Sequence, residues 1–412
     1  MSSTPSAAAT DCPEGETSFT PDDRQAMTQA LELAARGLYT TDPNPRVGCV
    51  IAQAEDIVGE GWHERAGDPH AEVNALRAAG LKAAGSTAYV TLEPCSHHGR
   101  TPPCVDALLA ARVARVVFAL QDPNPRVSGQ GAEALRRAGV AVESGLMAAE
   151  AAELNPGFLK RMRSGRPWVR VKLAMSLDGR TALANGASQW ITGPAAREDV
   201  QHWRARSSAV LTGIGTVLAD DPRLDIRLPE LPSQRPRTQP LRVVLDARLQ
   251  TPPAARMLTT GGPVLIMTAA TRGEPAGEVA ARRAELVRRG AAVEEVPGSD
   301  PGAGPGMGSD RTRLSLPDVL DRLGRREINE LWVEAGARLG GALLREALVD
   351  ELIVYIAPKL LGPQARPLVE MSELRSLPDA PGFIVVENRL IGEDVRLRLR
   401  PRPSSASAVL AG

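Results

Sequence analysis

The chain has 412 residues, 43% hydrophobic and 24% charged, and its 49 Lys+Arg balance its 49 Asp+Glu. That length exceeds one typical core and implies two domains. Zero net charge lacks the basic surplus of a nonspecific nucleic-acid binder, and no apolar run reaches the about 18 residues of a membrane-spanning helix. Four cysteines (Cys12, Cys49, Cys95 and Cys104) are too few for a disulfide framework and point to a reducing, cytoplasmic compartment.

Residues 1–20 have neither the basic start nor the apolar stretch of a signal peptide and read as a disordered tail. Thr20 is placed to cap a helix, with Pro21 at its first position and Met27, Ala30, Leu31, Ala34 and Leu38 at helical spacing. Asp42-Pro43-Asn44-Pro45 breaks it. A strand is expected at about Val47–Ala52, a helix from near His70–Glu72, a strand at Thr87–Leu92 and a turn at Pro94-Cys95. A helix at Val105–Ala111, a strand at Val113–Ala119, a helix at Gln130–Ala138 and a short strand near Val140 complete an α/β domain over 21–160.

The basic stretch Lys160–Pro167 reads as a linker. A second α/β domain spans 168–400. Its expected strands are Trp168–Leu173, Ala209–Thr212, Leu241–Leu245, Val264–Met267, Leu331–Glu334 and Leu352–Ile356. Its expected helices are Pro194–Ala205, Gly277–Arg289, Pro317–Leu323 and Gly340–Leu348. Pro297–Gly308 has the composition of a flexible insertion, and 401–412 that of a disordered tail.

The chemistry concentrates in the first domain. His70 and Glu72 stand in Asp-Pro-His-Ala-Glu; Cys95 follows Pro94, and Cys104 follows after eight intervening residues. One imidazole and two thiolates suit a catalytic zinc, which keeps a fourth position for water. Cys95, read as following a strand and opening a helix, gains thiolate character from the helix N-terminus. Glu72, two residues from His70, can reach that water without binding the metal. This is the His-x-Glu…Pro-Cys pattern of the zinc deaminases, with eight residues between the cysteines in place of two. A structural zinc takes four protein ligands and has no use for Glu72. Cys49 reads as a small buried hydrophobe.

The second domain lacks a Gly-x-Gly-x-x-Gly after a strand. Two other glycine segments, Gly213-Ile-Gly215-Thr216 and Gly336-Ala-Arg-Leu-Gly340-Gly341, lie at strand–helix junctions that can meet a pyrophosphate.

Beyond these patterns, the chain resembles the bifunctional pyrimidine deaminase/reductase family of riboflavin biosynthesis. The matching stretches are Pro43–Val50, Gly61–His63, Ala66–Glu72, Thr91–Cys104, Lys172–Arg180, Ser188–Thr192, Gly215–Pro222 and Val333–Ala337. The resemblance implies a cytidine-deaminase-like three-layer α/β/α domain followed by a dihydrofolate-reductase-like α/β domain. It also implies zinc and NADPH as cofactors, and 2,5-diamino-6-ribosylamino-4(3H)-pyrimidinone 5′-phosphate as substrate.

By the same resemblance, Asn44, His63, His98 and Arg100 contact the deaminase substrate, Arg100 its phosphate. Ala174, Trp190, Thr192, Thr216, Asp220 and the loop Gly336, Ala337, Arg338, Leu339, Gly340, Gly341, Ala342 contact NADPH. Lys172, Ser188, Arg204, Leu224, Arg227 and Glu334 contact the reductase substrate. A homodimer through the reductase domain is implied as well. Two other readings, a nucleoside or tRNA-base deaminase with a C-terminal binding module and a zinc-stabilised scaffold, fit the neutral charge and Glu72 less well.

Overall fold

The computed structural model describes residues 19–96, 102–124, 127–228, 238–269, 275–299 and 313–402. The chain opens with α1 (Pro21–Arg36), which starts where Thr20 and Asp23 form a reciprocal capping box. Next come β1 (Gly48–Gln53), β2 (Asp56–Trp62), α2 (Ala71–Ala79), β3 (Thr87–Val90), α3 (Cys104–Ala110), β4 (Arg115–Phe118), α4 (Gln130–Arg137) and β5 (Ala141–Ser144), then α5 (Ala148–Leu154) and α6 (Pro156–Ser164). The five strands run β2-β1-β3-β4-β5, with β3, β4 and β5 parallel and β1 antiparallel to both its neighbours.

Side-chain alternation along β1 separates two layers. Cys49 and Ile51 pack with Ala71, Ala75, Leu108 and Leu135, whereas Val50 and Ala52 pack with Met27, Ala30, Leu33 and Ala151. The sheet therefore lies between α2–α4 and α1/α5, a three-layer α/β/α domain. Gly48 is where α1 comes closest: a Cβ there would meet the Ala30 carbonyl oxygen at 1.9 Å.

In the second domain the strands of the main sheet are β6 (Trp168–Ser176), β7 (Ala209–Gly213), β8 (Leu241–Leu245), β9 (Val264–Thr268), β10 (Ala291–Glu295), β11 (Glu330–Glu334), β12 (Glu351–Ala357), β13 (Phe383–Ile391) and β14 (Asp394–Pro401). The helices are α7 (Pro194–Arg206), α8 (Ile214–Asp220), α9 (Ala276–Arg288), α10 (Leu316–Arg325) and α11 (Ala337–Arg345). The sheet order is β10-β9-β8-β7-β11-β6-β12-β14-β13; it is parallel as far as β12, and the last two strands form an antiparallel edge hairpin. One face carries α10 and α11 through Val319, Leu320, Leu323 and Leu343, and the other carries α7 through Ala196, Val200 and Trp203. No described helix is long and apolar enough to cross a membrane.

Several expectations need correction. Lys160–Pro167 is not a free linker: α6 runs to Ser164, with Phe158 and Leu159 buried on one side, and Lys160 ion-pairs with Asp350 at 2.6 Å. Pro401, read as the start of a tail, is the last residue of β14, and the rest of that segment beyond 402 lies outside the described residues. The expected helix Gly340–Leu348 starts three residues earlier, because Gly340 and Gly341 sit inside α11 instead of breaking it; a Cβ on Gly341 would meet the Glu370 carbonyl at 2.0 Å. Strand β2 was hidden by Gly59 and Gly61, which are small because α2 lies on them: their Cβ atoms would meet Ala75 backbone atoms at 2.3 and 2.4 Å. Most of the insertion read at Pro297–Gly308 lies outside the described residues.

Candidate active sites

His70 is the N-cap residue of α2, in extended backbone, which releases its ring from the helix. Cys104 is the first residue of α3. Cys95 lies in the loop after β3 and not at a helix start; the α3 terminus reaches it instead, through the Cys104 N–H, which donates to Cys95 Sγ at 3.4 Å. His70 Nδ1 is 3.1 Å from Cys104 Sγ and 3.6 Å from Cys95 Sγ, and the three ligand atoms lie within 4.8 Å of one another. Such a triangle of one nitrogen and two sulfurs fits an ion at about 2.0–2.3 Å from each, so the residues fit zinc.

The electrostatics agree. The Cys95 thiol is pulled down to about 4 by the hydrogen bond from Cys104, then, against burial, by His70. Cys104 is held up by that shared proton and by burial. His70 is raised by its bond to Cys95. Glu72, the second residue of α2 and 3% exposed, is raised by burial and hydrogen-bonds Cys104.

Asn44 and His63 come together beside this centre. Asn44 Nδ2 donates to His63 Nε2 at 3.0 Å, and His63 Nδ1 donates to the Pro69 carbonyl at 3.1 Å. That pattern fixes a neutral imidazole, consistent with burial lowering its pKa. The His63 ring meets the His70 ring edge-on at 5.4 Å. His98 and Arg100 lie outside the described residues.

The second domain holds a cleft of about 2340 Å³, larger than one small molecule needs. Lys172 and Ala174 line it from β6; Ser188, Trp190 and Thr192 from the following loop; Arg204 from α7; Thr216 and Asp220 from α8; Leu224 and Arg227 from the segment beyond. Glu334 at the end of β11, together with Gly336, Ala337, Arg338, Leu339 and Ala342, completes the wall. Gly340 and Gly341 are absent from the lining and pack instead against Leu173 and Val369 and against the Glu370 carbonyl. Gly215 and Gly336 have no other atoms within 4 Å of a would-be Cβ. With α8 and α11 starting beside them, these two glycines form an open backbone cradle that suits a dinucleotide pyrophosphate.

Arg204 reaches the cleft wall as a buried, paired charge. It is 7% exposed, and its fork closes on Glu334 at 2.5 and 2.8 Å while Nη1 donates to the Asp225 carbonyl. Burial pushes the Glu334 carboxyl up, but Arg204 more than offsets this and holds it at about 2. Arg227 is more exposed and pairs with Asp225 at 2.5 Å. Lys172 is lowered by desolvation. Sequence reasoning missed Arg197, which lies over the Trp190 ring at 4.6 Å and donates to the Thr192 carbonyl. It also missed Tyr355 on the cleft wall, bonded to Asp199 at 2.5 Å. Neither lies in a recognisable motif.

Two family models match the chain: the cytidine and deoxycytidylate deaminase zinc-binding region over residues 20–120, and the RibD C-terminal domain over 167–397. The riboflavin biosynthesis protein RibD of Escherichia coli (strain K12) is 52% identical over 385 residues, covering 92% of this chain and 99% of the relative. The same-named protein of Haemophilus influenzae is 46% identical, covering 93% and 99%. Among solved structures, Acinetobacter baumannii RibD (form 1) matches with a TM-score of 0.82 at 45% identity, covering 93% of this chain and 99% of that one. A diaminohydroxyphosphoribosylaminopyrimidine deaminase/5-amino-6-(5-phosphoribosylamino)uracil reductase from Thermotoga maritima matches at 0.75 and 31%, covering 92% and 99%.

Proposed function

Because this chain belongs to the RibD family of riboflavin biosynthesis proteins and is a bifunctional zinc-dependent deaminase and NADPH-dependent reductase, we propose a division of that work among named residues. The substrate is the diaminopyrimidine ribosyl 5′-phosphate, which loses its C2 amino group in the first domain and has its ribosyl group reduced to ribityl in the second.

In the first domain His70, Cys95 and Cys104 would hold zinc, which would supply the Lewis acidity that makes water a nucleophile near neutral pH. Glu72 takes a proton from the attacking water and returns it to the departing amine. Asn44, fixed by His63, hydrogen-bonds the pyrimidine; His98 is assigned to the same substrate and Arg100 to its phosphate, for which a planar guanidinium is suited.

In the second domain NADPH supplies the hydride. The Gly215–Thr216 and Gly336–Leu339 segments present backbone N–H groups to its pyrophosphate, and Ala174, Trp190, Thr192, Asp220 and Ala342 bound the rest. Ser188, Leu224 and Arg227 hold the pyrimidine phosphate. Arg204 and Glu334, locked together, set the shape of the substrate pocket. Lys172, an ammonium made more acidic by desolvation, supplies the proton that accompanies hydride transfer to the sugar.

We also place the enzyme in the cytoplasm, with a small-molecule substrate and no nucleic-acid partner, and pair it as a dimer through the reductase domain. The edge strand β13 supports the dimer: Ile384, Val385, Val386 and Leu390 are all exposed on it, and an apolar edge of this kind invites pairing.

The observation that carries the deaminase reading is the convergence of three metal-ligand atoms within 4.8 Å beside a buried carboxyl. The test is a coupled assay. Wild type releases ammonia from the diaminopyrimidine phosphate and then oxidises NADPH. Glu72→Ala loses ammonia release by about 10²- to 10⁴-fold yet oxidises NADPH normally when given the deaminated intermediate. Ammonia release that survives in Glu72→Ala sinks the assignment.

A further inference from the structure

Outside the metal centre and the cleft, a buried polar cluster lies where the domains meet, at the start of β11. Arg46 stands two residues after Asn44 and is 6% exposed. Its Nη1 donates to Glu330 Oε1 at 2.7 Å and to the Leu154 carbonyl at 2.5 Å, and its Nη2 donates to the carbonyls of Leu38 and Arg206. Glu330, 2% exposed, also binds Arg170 and Arg206. Asn155 brackets the Arg46 backbone, accepting from its N–H and donating to its carbonyl, both at 2.8 Å.

Four residues earlier the same loop is held again. Asp42 accepts from Ser208 Oγ at 2.8 Å and from Asn329 Nδ2 at 3.1 Å, and Asn329 Nδ2 also donates to the Pro43 carbonyl at 2.8 Å. Gly157 lets α6 approach the same spot, since a Cβ there would meet the Asn329 carbonyl at 2.5 Å.

Residues 42–46 form neither helix nor strand, and two prolines remove N–H donors from them. Sheet or helix bonds therefore do not set the loop's shape. The loop is held from both sides, by Leu38, Leu154 and Asn155 of its own domain and by Ser208, Asn329, Glu330 and the Arg206 carbonyl of the other, and between the two clamped ends stands Asn44. We propose that Arg46 is a positioning residue of the deaminase: its ion pair with Glu330 across the domain boundary holds the Asp42–Arg46 loop so that Asn44 meets the pyrimidine. The reductase domain thereby completes the deaminase site. The proposal rests on the assignment of Asn44 to the pyrimidine.

The test uses the full-length zinc enzyme carrying Arg46→Met, Arg46→Lys, Asn329→Ala or Asn44→Ala. Ammonia-release kcat and KM are measured alongside zinc content and NADPH oxidation with the deaminated intermediate. Arg46→Met raises the deaminase KM about 10- to 100-fold and moves kcat much less, with zinc content and NADPH oxidation at wild-type levels. Arg46→Lys restores a cation opposite Glu330 without the fork and recovers part of the KM.

Asn329→Ala, a change wholly within the reductase domain, raises the deaminase KM by about three- to tenfold, and it decides the matter if Arg46→Met does not fold. If Asn44→Ala raises KM while Arg46→Met or Asn329→Ala leaves it unchanged, the clamp is overturned. Parallel loss of zinc or of NADPH oxidation in Arg46→Met also overturns it, by making Arg46 a general fold residue. If Asn44→Ala itself leaves KM unchanged, it is the underlying assignment of Asn44 that fails.

Discussion

The metal centre and the reductase cleft are built on opposite plans. The first brings three ligand atoms within 4.8 Å from a stretch of 35 residues, His70 to Cys104, and buries Glu72 beside them. The second assembles residues from Lys172 to Ser372 around about 2340 Å³ of open space. A metal restricts its ligands to a few residue types, so its site leaves a compact trace in the chain. A dinucleotide is held largely by backbone N–H groups and helix ends, which nearly any residue supplies.

Removing zinc should separate the two plans most sharply. Chelation, or Cys104→Ser, is expected to abolish ammonia release while NADPH oxidation with supplied intermediate stays within error. Metal analysis and both assays on one preparation check it. Loss of both activities together would break the comparison and show that the first domain supports the second cleft.

The same contrast explains what was legible. His70, Glu72, Cys95 and Cys104 were readable because their chemistry demands those side chains. The cap at Thr20 was readable because its hydrogen bonds are local. Strand β2 was not, since Gly59 and Gly61 have low strand propensity and exist to admit α2. The Arg204–Glu334 pair joins residues 130 apart in sequence, and no local pattern announces it. Strand β14 was missed although its signal was present: Val395, Leu397 and Leu399 alternate with Arg396, Arg398 and Arg400 at the period of a strand.

Glu334→Gln tests whether the cleft is as locally organised as the metal centre. The amide leaves the buried Arg204 fork without its charge partner, and removing one member of such a pair costs about 2–5 kcal/mol. Reductase kcat/KM is expected to fall about 30-fold or more, with ammonia release unchanged. A matching fall in ammonia release would show that β11, which carries Glu330 at one end and Glu334 at the other, transmits between the sites.

A smaller effect is expected at Trp190, which is 62% exposed on the cleft rim beneath Arg197. Trp190→Ala should raise the KM for NADPH about fivefold, the worth of one aromatic platform. Initial rates against NADPH check it, and an unchanged KM removes this loop from the cofactor site.

The smallest expected effect lies outside both the metal centre and the cleft and touches stability alone. Asp23 accepts from Tyr89 Oη at 2.7 Å and pairs with Arg115 at 2.6 Å, while closing the cap of α1 with Thr20. Burial pushes its carboxyl up, but the Arg115 and Tyr89 hydrogen bonds more than offset this and hold it well below the usual carboxylate range. A depressed folded-state pKa contributes stability that is complete above the unfolded value, about 3.9, and is lost as pH falls below it. Asp23→Asn should therefore cost about 1–2 kcal/mol at pH 7, and the gap should narrow as the pH drops from about 4 toward 3. Urea unfolding of wild type and variant across that range measures the gap directly, and because zinc loss at low pH affects both proteins alike, it cancels in the difference. A gap that stays constant down to pH 3 would mean that the carboxylate's charge contributes nothing and that the cap alone accounts for the loss; both activities at pH 7 should be indifferent to the change.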